Sequence, residues 1–438
     1  MVDEERPSDG MGSFPRTFWI ANVMELFERA AYYGMMSVLA VYLRMKTQDG
    51  GLGFSETSVG FLQSIMLTLT YITPILGGAI AERYGYKRFL ILAFAVLTVG
   101  YFASGHTTSY GVIFLTLLLI AVGSGLFKPI LSGTITRTST DGNRSLGFGI
   151  YYWMINLGAF LSPILVSYLK GRFSWSYVFM ASAGWCVLML ILTIVGYREP
   201  ERPKSTKGVG QTLSEAVMVL RDWRFVLMIV IYSGFWLLYF QMFNTVLWYM
   251  VDHVDMTPAD RFLTSAARFF GSTSELKFDV AYVTSINAGT IILLQVLVSR
   301  IVKNLRALPT MIGGIVIGTA GFVILSLSAN AWVFIVSMIV FSIGEMTCHP
   351  KYFSYIGQIA PRDKVAVYMG YSFLYGIIGS LVGSNLGAVL YKEIATGRGQ
   401  PRLLWAIFSL IGFLTIIGLM IYDRYLSPER SATQRVTA

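Results

Sequence analysis

Charge is scarce in this chain. Lys, Arg, Asp and Glu supply 13% of its 438 residues, against 55% hydrophobic residues. A soluble core of that size needs a far larger polar surface to cover it, so an ordinary soluble domain is excluded. Cysteine is nearly absent. Cys186 and Cys348 both fall in apolar runs, which gives no disulfide framework and no metal-ligand spacing and leaves the redox compartment undetermined. The chain also lacks a phosphate-cradling loop, a zinc spacing and a nucleophile set beside a base. No enzyme, metal or cofactor is therefore expected, and the missing P-loop argues against an ATP-driven pump. The opening MVDEERPSDG is acidic and polar, unlike a secretory signal. Insertion must then be driven by the apolar segments themselves.

Those segments dominate what is present. A helix needs roughly 20 mainly apolar residues to cross a bilayer. Twelve stretches qualify, near 17–44, 56–81, 88–105, 109–136, 145–169, 175–197, 224–251, 279–300, 308–328, 331–360, 365–391 and 402–423. The basic connections ERYGYKR, REPERPKSTKG, SRIVKNLR and PRDK alternate so as to place both termini in the cytoplasm. Basic residues are about twice as frequent on that side. The net charge of +10 is thus mostly topology, and its scatter over short loops argues against nucleic acid as a partner.

One seam divides the chain. Residues 199–222 are polar and carry Pro200, Pro203, Gly208 and Gly210. Residues 1–198 and 223–438 then form two six-helix halves, the layout of an all-α major facilitator fold with no extra helix pair between them. Gly78, Glu82, Arg83, Gly85, Lys87 and Arg88 approximate that superfamily's loop signature. Ser299, Arg300 and Lys303 are only a faint echo in the second half. Segment 252–278 reads as a loop on the opposite side, with a short surface helix.

The charges that do occur inside the spans stand out. Glu25, Glu28, Arg29 and Tyr32 are spaced i, i+3, i+4, i+7 and share one helix face. A buried charge costs several kcal/mol unless paired. Two carboxylates beside one guanidinium leave a negative charge for a proton, a cation or a ligand to neutralise. Lys128, beside Gly123, Gly125 and Pro129 in the fourth stretch, is the expected cation, paired with a first-span glutamate. In the tenth stretch Glu345 and His349 share a face ahead of Pro350 and Lys351. Facing halves would set Arg29 and Lys128 against Glu345, a dipolar cavity suited to a zwitterion. The alternative is local pairing that only fixes helix register. His349 either joins a proton relay or bonds to a neighbouring helix. Gly379, Gly383 and Gly387 fit close helix packing, with a gating bend as the alternative. Trp19, Trp175, Trp223, Trp332 and Trp405 fit interfacial anchoring, while Trp236 and Trp248 lie deeper and Trp236 is a candidate for the cavity wall.

With these residues the chain resembles the proton-dependent oligopeptide transporters, a branch of the major facilitator superfamily. Glu25, Glu28, Arg29, Tyr32, Tyr33 and Gly34 fit its E-x-x-E-R-F-x-Y-Y-G signature, with Ala30 for the phenylalanine. Gly125, Phe127, Lys128 and Pro129 match a fourth-span element. Tyr152, Ile155, Asn156, Leu157 and Gly158 match a fifth-span one, with Tyr151 for its phenylalanine. Phe235, Trp236, Gln241, Asn287, Glu345 with Pro350, and the run APRDKVAVYMG also align. The resemblance implies symport. Glu25, Glu28, Arg29, Lys128 and Glu345 would couple protons to substrate. Arg29 and Lys128 would bind a peptide carboxylate and Glu345 its amino end. Tyr32, Tyr33, Tyr71, Tyr152, Asn156, Trp236, Gln241, Asn287 and His349 would complete the substrate-binding set.

Some positions depart from the family. Met36 stands where an arginine is usual, Phe240 where a carboxylate precedes the glutamine, His349 for a serine and Ser372 for a tryptophan. Asp252 keeps an acidic position in the seventh span without its usual first-span partner. These departures bear on the outer gate, the proton path and substrate size. The expected function is import of short peptides or related zwitterions by alternating access, driven by the proton gradient alone. The rival readings are a proton-coupled drug or metabolite exporter and a non-transporting peptide receptor. The expected unit is a monomer in a bacterial inner membrane, with solute, protons and lipid as its partners.

Overall fold

The structure, a computed structural model, describes residues 14–140, 143–201, 214, 218–271, 273–361 and 364–427. The spans are Arg16–Arg44, Glu56–Tyr84, Tyr86–Ser104, Tyr110–Arg137, Arg144–Arg172 and Trp175–Val195 in the first half. The second half begins with a broken seventh span, Trp223–Phe240 followed by Thr245–His253. Then come Tyr282–Val302, Ala307–Leu327, Ala331–Ile359, an eleventh span in two pieces, Val365–Tyr371 and Leu374–Leu390, and Pro401–Tyr425. Among the described residues eleven of these are long and apolar enough to cross a membrane by length and composition. The first has the length, at 29 residues, but carries Glu25, Glu28 and Arg29 near its middle. Most of 199–222 lies outside the described residues, as do the side chains of Glu82 and Arg83 and part of the run APRDKVAVYMG.

Local chemistry sets the boundaries. Ser55 caps the second span by accepting from Ser58 N at 3.2 Å. Asn330 caps the tenth by accepting from Trp332 N at 2.8 Å, and Pro401 opens the twelfth. A single residue separates the second and third spans. Gly85 sits there at φ 117°, a conformation that a Cβ would strain. Two expectations of continuous spans are corrected. The seventh breaks at a 3-10 turn, Gln241–Phe243, and restarts where Asn244 Oδ1 accepts from Thr245 N at 2.5 Å. The eleventh breaks at Ser372 and ends in a π turn, Tyr391–Thr396.

Packing reveals a repeat that the residues do not advertise. In the first half, span 1 packs on 5 and 6, span 3 on 4 and 6, and span 2 on 4. In the second half, 7 packs on 11 and 12, 9 on 10 and 12, and 8 on 10. Adding six to each number maps one set onto the other. The principal contacts between halves, 2 with 11 and 5 with 8, exchange under the same operation. The glycines at 379 and 383 serve this packing. A Cβ on Gly379 would lie 2.8 Å from Trp236 Cβ, and one on Gly383 3.1 Å from Leu237 Cα. Trp405, expected at the interface, is fully buried against Tyr249 and Phe322.

Between described residues, the hydrogen bonds and ion pairs joining the halves lie at mid-bundle or at the end opposite the linker. Gln63 donates to Phe243 O at 2.9 Å, Trp248 to Ala40 O at 2.8 Å and Ser285 to Phe160 O at 2.9 Å. Lys170 and Asp279 pair at 2.8 Å. Arg44 reaches Asp252 Oδ1 and Oδ2 at 2.6 and 2.5 Å. The end opposite the linker is therefore latched.

Candidate functional site

The first-span motif forms a closed polar knot. Arg29 Nε lies 3.3 Å from Glu25 Oε1, and Arg29 Nη2 contacts Glu28 Oε2. Ser124 of the fourth span donates to Glu28 Oε1 at 2.7 Å, and Tyr151 of the fifth donates to Glu25 Oε2 at 2.9 Å. The two glutamates are 2% and 1% exposed and Arg29 is 5% exposed. The negative charge left after Arg29 is thus shared by hydroxyl donors, the remedy that burial demands. Small residues admit this approach. A Cβ on Gly158 would lie 2.5 Å from Leu26 O and 3.0 Å from Arg29 Cβ, and one on Gly34 would collide with Ser162 Oγ. The motif glycines therefore seat the fifth span against the first beside Arg29.

Lys128 does not take the expected place. Among the described residues it forms no ion pair with a carboxylate. Arg29 shares a helix with both glutamates, and its forked guanidinium lies against each of them. The Lys128 ammonium instead stands 5.8 Å from the ring centre of Tyr32 and 5.7 Å from that of Tyr71. Arg29 lies over the rings of Tyr32 and Tyr33 at 5.3 and 5.9 Å. Such contacts are worth about 0.5–2 kcal/mol. They hold the ammonium beside the rings, within electrostatic reach of Glu25 and Glu28 but not paired with either.

The second half supplies a lone carboxylate. Glu345 Oε2 accepts from Asn287 Nδ2 at 2.8 Å, and Asn287 also donates to Ser342 at 2.9 Å. No cation pairs with Glu345 among the described residues. It lies within electrostatic reach of Tyr33, Tyr71 and Tyr152 of the opposite half. Tyr152 is 45% exposed, whereas Glu345 is 8% exposed. An aromatic wall joins the two poles. Tyr71 meets Phe240 and Tyr375 at 6.0 and 6.2 Å, and Tyr375 stacks on Trp236 at 4.4 Å. Phe240, in place of a carboxylate, has become part of that wall.

Not every predicted residue faces this space. Gln241 is fully buried and donates to Leu237 O and Gly383 O at 2.8 and 3.0 Å. It cements the seventh span to the eleventh and is not brought to the site. Asn156 is 7% exposed and donates to Tyr152 O at 2.9 Å within its own helix. His349 is hydrogen-bonded to a neighbouring helix: its Nδ1 lies 3.3 Å from Tyr232 Oη, and its ring packs on Trp236 at 5.0 Å. Its i, i+4 neighbour Glu345 turns the other way, to Asn287. Ser372 is buried at the eleventh-span break, where its carbonyl accepts from Tyr352 at 2.6 Å.

Sequence reasoning missed Ser124, Tyr375 and the hydrogen-bonding role of Tyr151. It also left Asp252 without a first-span partner. Met36 is buried where an arginine was looked for, and Arg44, eight residues further on, takes Asp252 instead. Tyr391 donates to the same carboxylate at 2.7 Å, and Glu56 stands 3.7 Å from Arg44. The signal was present as a lone arginine at the end of an apolar span. An open cleft of about 470 Å³ lies nearer the linker, lined by Gly78, Tyr86, Pro129, Gly133 and Arg137. It adjoins the fourth-span helix beyond Lys128 and holds none of the charged set.

Relatives agree with this architecture. The chain is 33% identical over 189 residues to the uncharacterized transporter YclF of Bacillus subtilis. It is 34% identical over 213 residues to dipeptide and tripeptide permease A of Pectobacterium carotovorum, and 33% over 189 residues to that of Escherichia coli. These matches cover 42%, 47% and 42% of this chain and 38%, 40% and 36% of the relatives, so they span about two fifths of the relatives' lengths. Among solved structures, a peptide transporter POT with sulfate superposes with a TM-score of 0.78 at 19% identity, over 95% of this chain and 96% of that one. A POT family transporter with 5-aminolevulinic acid gives 0.78 at 21%, over 97% and 98%. The shared fold is that of these transporters. The sequence profile of the Major Facilitator Superfamily matches residues 18–384 and 262–437, and the chain belongs to that superfamily.

Proposed function

We propose that this protein is a proton-coupled symporter of short peptides or related zwitterions, in the oligopeptide branch of its superfamily. The observation that carries the reading is charge separation between the two halves. Lys128, an ammonium held in no ion pair, stands on one half, and Glu345, a carboxylate with no cationic partner among the described residues, on the other, joined by an aromatic wall. A zwitterion satisfies both poles at once; a monovalent ion satisfies one and leaves the other desolvated.

The knot supplies the coupling. Arg29 is held by Glu25 and Glu28, so a peptide carboxylate meets Lys128 first. A proton on either glutamate removes one of Arg29's partners and frees guanidinium donors for that carboxylate. Binding and protonation then favour each other, which is the linkage a symporter needs. This differs from the sequence-based expectation, in which Lys128 was the partner of a first-span glutamate. Neutralising both poles lets the halves close toward the linker while the Arg44–Asp252 end opens.

Residues 1–198 and 223–438 are the moving halves, joined by 199–222. The reading places both termini and that linker in the cytoplasm of a bacterial inner membrane, with the monomer as the working unit. Competition by blocked dipeptides tests it. In proteoliposome uptake, a free dipeptide should compete strongly, while N-acetylated and C-amidated forms should each lose most of that effect. Equal competition by all three would remove the dipolar site from the account.

A further inference from the structure

Residues between the seventh and eighth spans build a surface feature that the transport cycle does not use. The helix Thr257–Phe269 lies at the latched end of the bundle. Its inner side is fixed to protein. Ala259 is 1% exposed, Asp260 Oδ1 accepts from Phe278 N at 2.6 Å, and Thr264 exchanges hydrogen bonds with Leu276 N and O at 3.0 and 3.1 Å. Just before the helix, Asp255 bridges to Asn330 at the start of the tenth span. The element is therefore rigidly mounted.

Its outer side is apolar in a way that such mounting does not explain. Phe262 and Phe269 are seven residues apart, so they share one stripe. They are 60% and 85% exposed, and Phe270 beside them is 85% exposed. Two exposed rings on a 13-residue helix and a third at its C-cap form the kind of patch that marks a docking surface. Arg261 and Arg268, also seven apart, run alongside one position earlier, on the flank of the rings. Phe262 meets Trp332 edge-on at 5.5 Å. Trp332 is 43% exposed at the first turn of a membrane span, the depth at which tryptophan marks a bilayer interface. The phenylalanine stripe thus continues the lipid-facing belt of the bundle. An aromatic stripe flanked by guanidinium groups matches the acyl–phosphate boundary of a phospholipid leaflet.

We propose that the helix 257–269 lies in the membrane interface opposite the linker, with Phe262, Phe269 and Phe270 seated among acyl chains and Arg261 and Arg268 at the phosphates. The partner is the bilayer surface itself, not a second protein. Because the helix begins five residues after Asp252, it fixes the outer end of the seventh span against the membrane beside the Arg44 latch.

Site-directed spin labelling of the full chain in phosphatidylethanolamine–phosphatidylglycerol liposomes tests this. Both native cysteines are fully buried, so Phe269→Cys and Arg261→Cys each offer one accessible thiol. The ratio of collision with oxygen to collision with a water-soluble nickel chelate should be severalfold higher at 269 than at 261. Transfer to a short-chain detergent should lower the 269 ratio. A high nickel collision rate at 269 would place the ring in water. Protection at 269 from both relaxants would mean that protein covers it. Either result overturns the proposal. Phe262→Cys, on the same stripe two turns away, serves as a second site if the 269 variant is poorly folded, and the same two outcomes decide it.

Discussion

Removing Arg44 should loosen the end of the bundle opposite the linker. The Arg44 guanidinium reaches both oxygens of Asp252 at 2.6 and 2.5 Å, with Glu56 at 3.7 Å and the Trp248 ring at 5.3 Å. The Arg44 and Asp252 side chains are 17% and 30% exposed. A fully exposed pair would contribute about 0–1 kcal/mol, and hydrogen bonds to a charged group about 1.5–3 kcal/mol. This partly buried two-pronged pair belongs between them, at about 2 kcal/mol. At 1.4 kcal/mol per decade, its loss shifts the ratio of closed to open states at this end roughly thirtyfold. Nitroxides at Gln48→Cys and Val251→Cys, exposed sites flanking the latch on opposite halves, read the opening as a distance distribution. Arg44→Ala and Asp252→Asn should each add a longer-distance population, and the double variant should add little beyond either single change. Unchanged distributions, or strictly additive effects, would show that the contact does not hold the halves together.

Other expectations follow from the same geometry. Lys128→Ala should abolish uphill uptake of a dipeptide while leaving thermal unfolding close to wild type, since its ammonium holds no ion pair together. Glu28→Gln should lose proton-driven accumulation yet keep counterflow exchange, because an amide cannot gain and lose the coupled proton; retained accumulation would shift the coupling elsewhere. Gly158→Ala should lower the melting temperature by an amount matching about 1–3 kcal/mol of overpacking, since its new Cβ meets a backbone carbonyl, while Gly184→Ala, with nothing within 4 Å, should be nearly neutral. Glu345→Gln should weaken uptake of free dipeptides and shrink their advantage over N-acetylated ones, measured as a ratio of inhibition constants.

The spans were legible because burial in lipid demands long apolar runs, and the structure moves their ends by only a few residues. The breaks at Gln241–Phe243 and Ser372 were not. They arise where tertiary partners compensate a lost helical turn, as Tyr352 does at Ser372 O, and no local residue announces that. The first-span knot was legible as spacing, since Glu25, Glu28 and Arg29 must share a face. Its closure by Ser124 and Tyr151 was hidden, because hydroxyl residues are common in membrane helices and only the fold shows which of them point inward. Lys128 was legible as a cation inside the bundle and misread as an ion-pair partner. Counting charges ignored that a guanidinium already on the same helix reaches both carboxylates at less cost in ordering. Gln241 shows the reverse error: a polar residue that matched a family pattern spends its hydrogen bonds on helix packing. The repeat of helix contacts between halves left little trace in the residues, since packing fixes size and shape at each crossing and not identity.

Uptake of a radiolabelled dipeptide by wild-type protein in liposomes, with and without an inwardly directed proton gradient, tests the central claim most directly. The account predicts accumulation above the outside concentration with the gradient and its collapse when a protonophore is added. Equilibration that is indifferent to the gradient, or binding with no accumulation inside the vesicles, would contradict it.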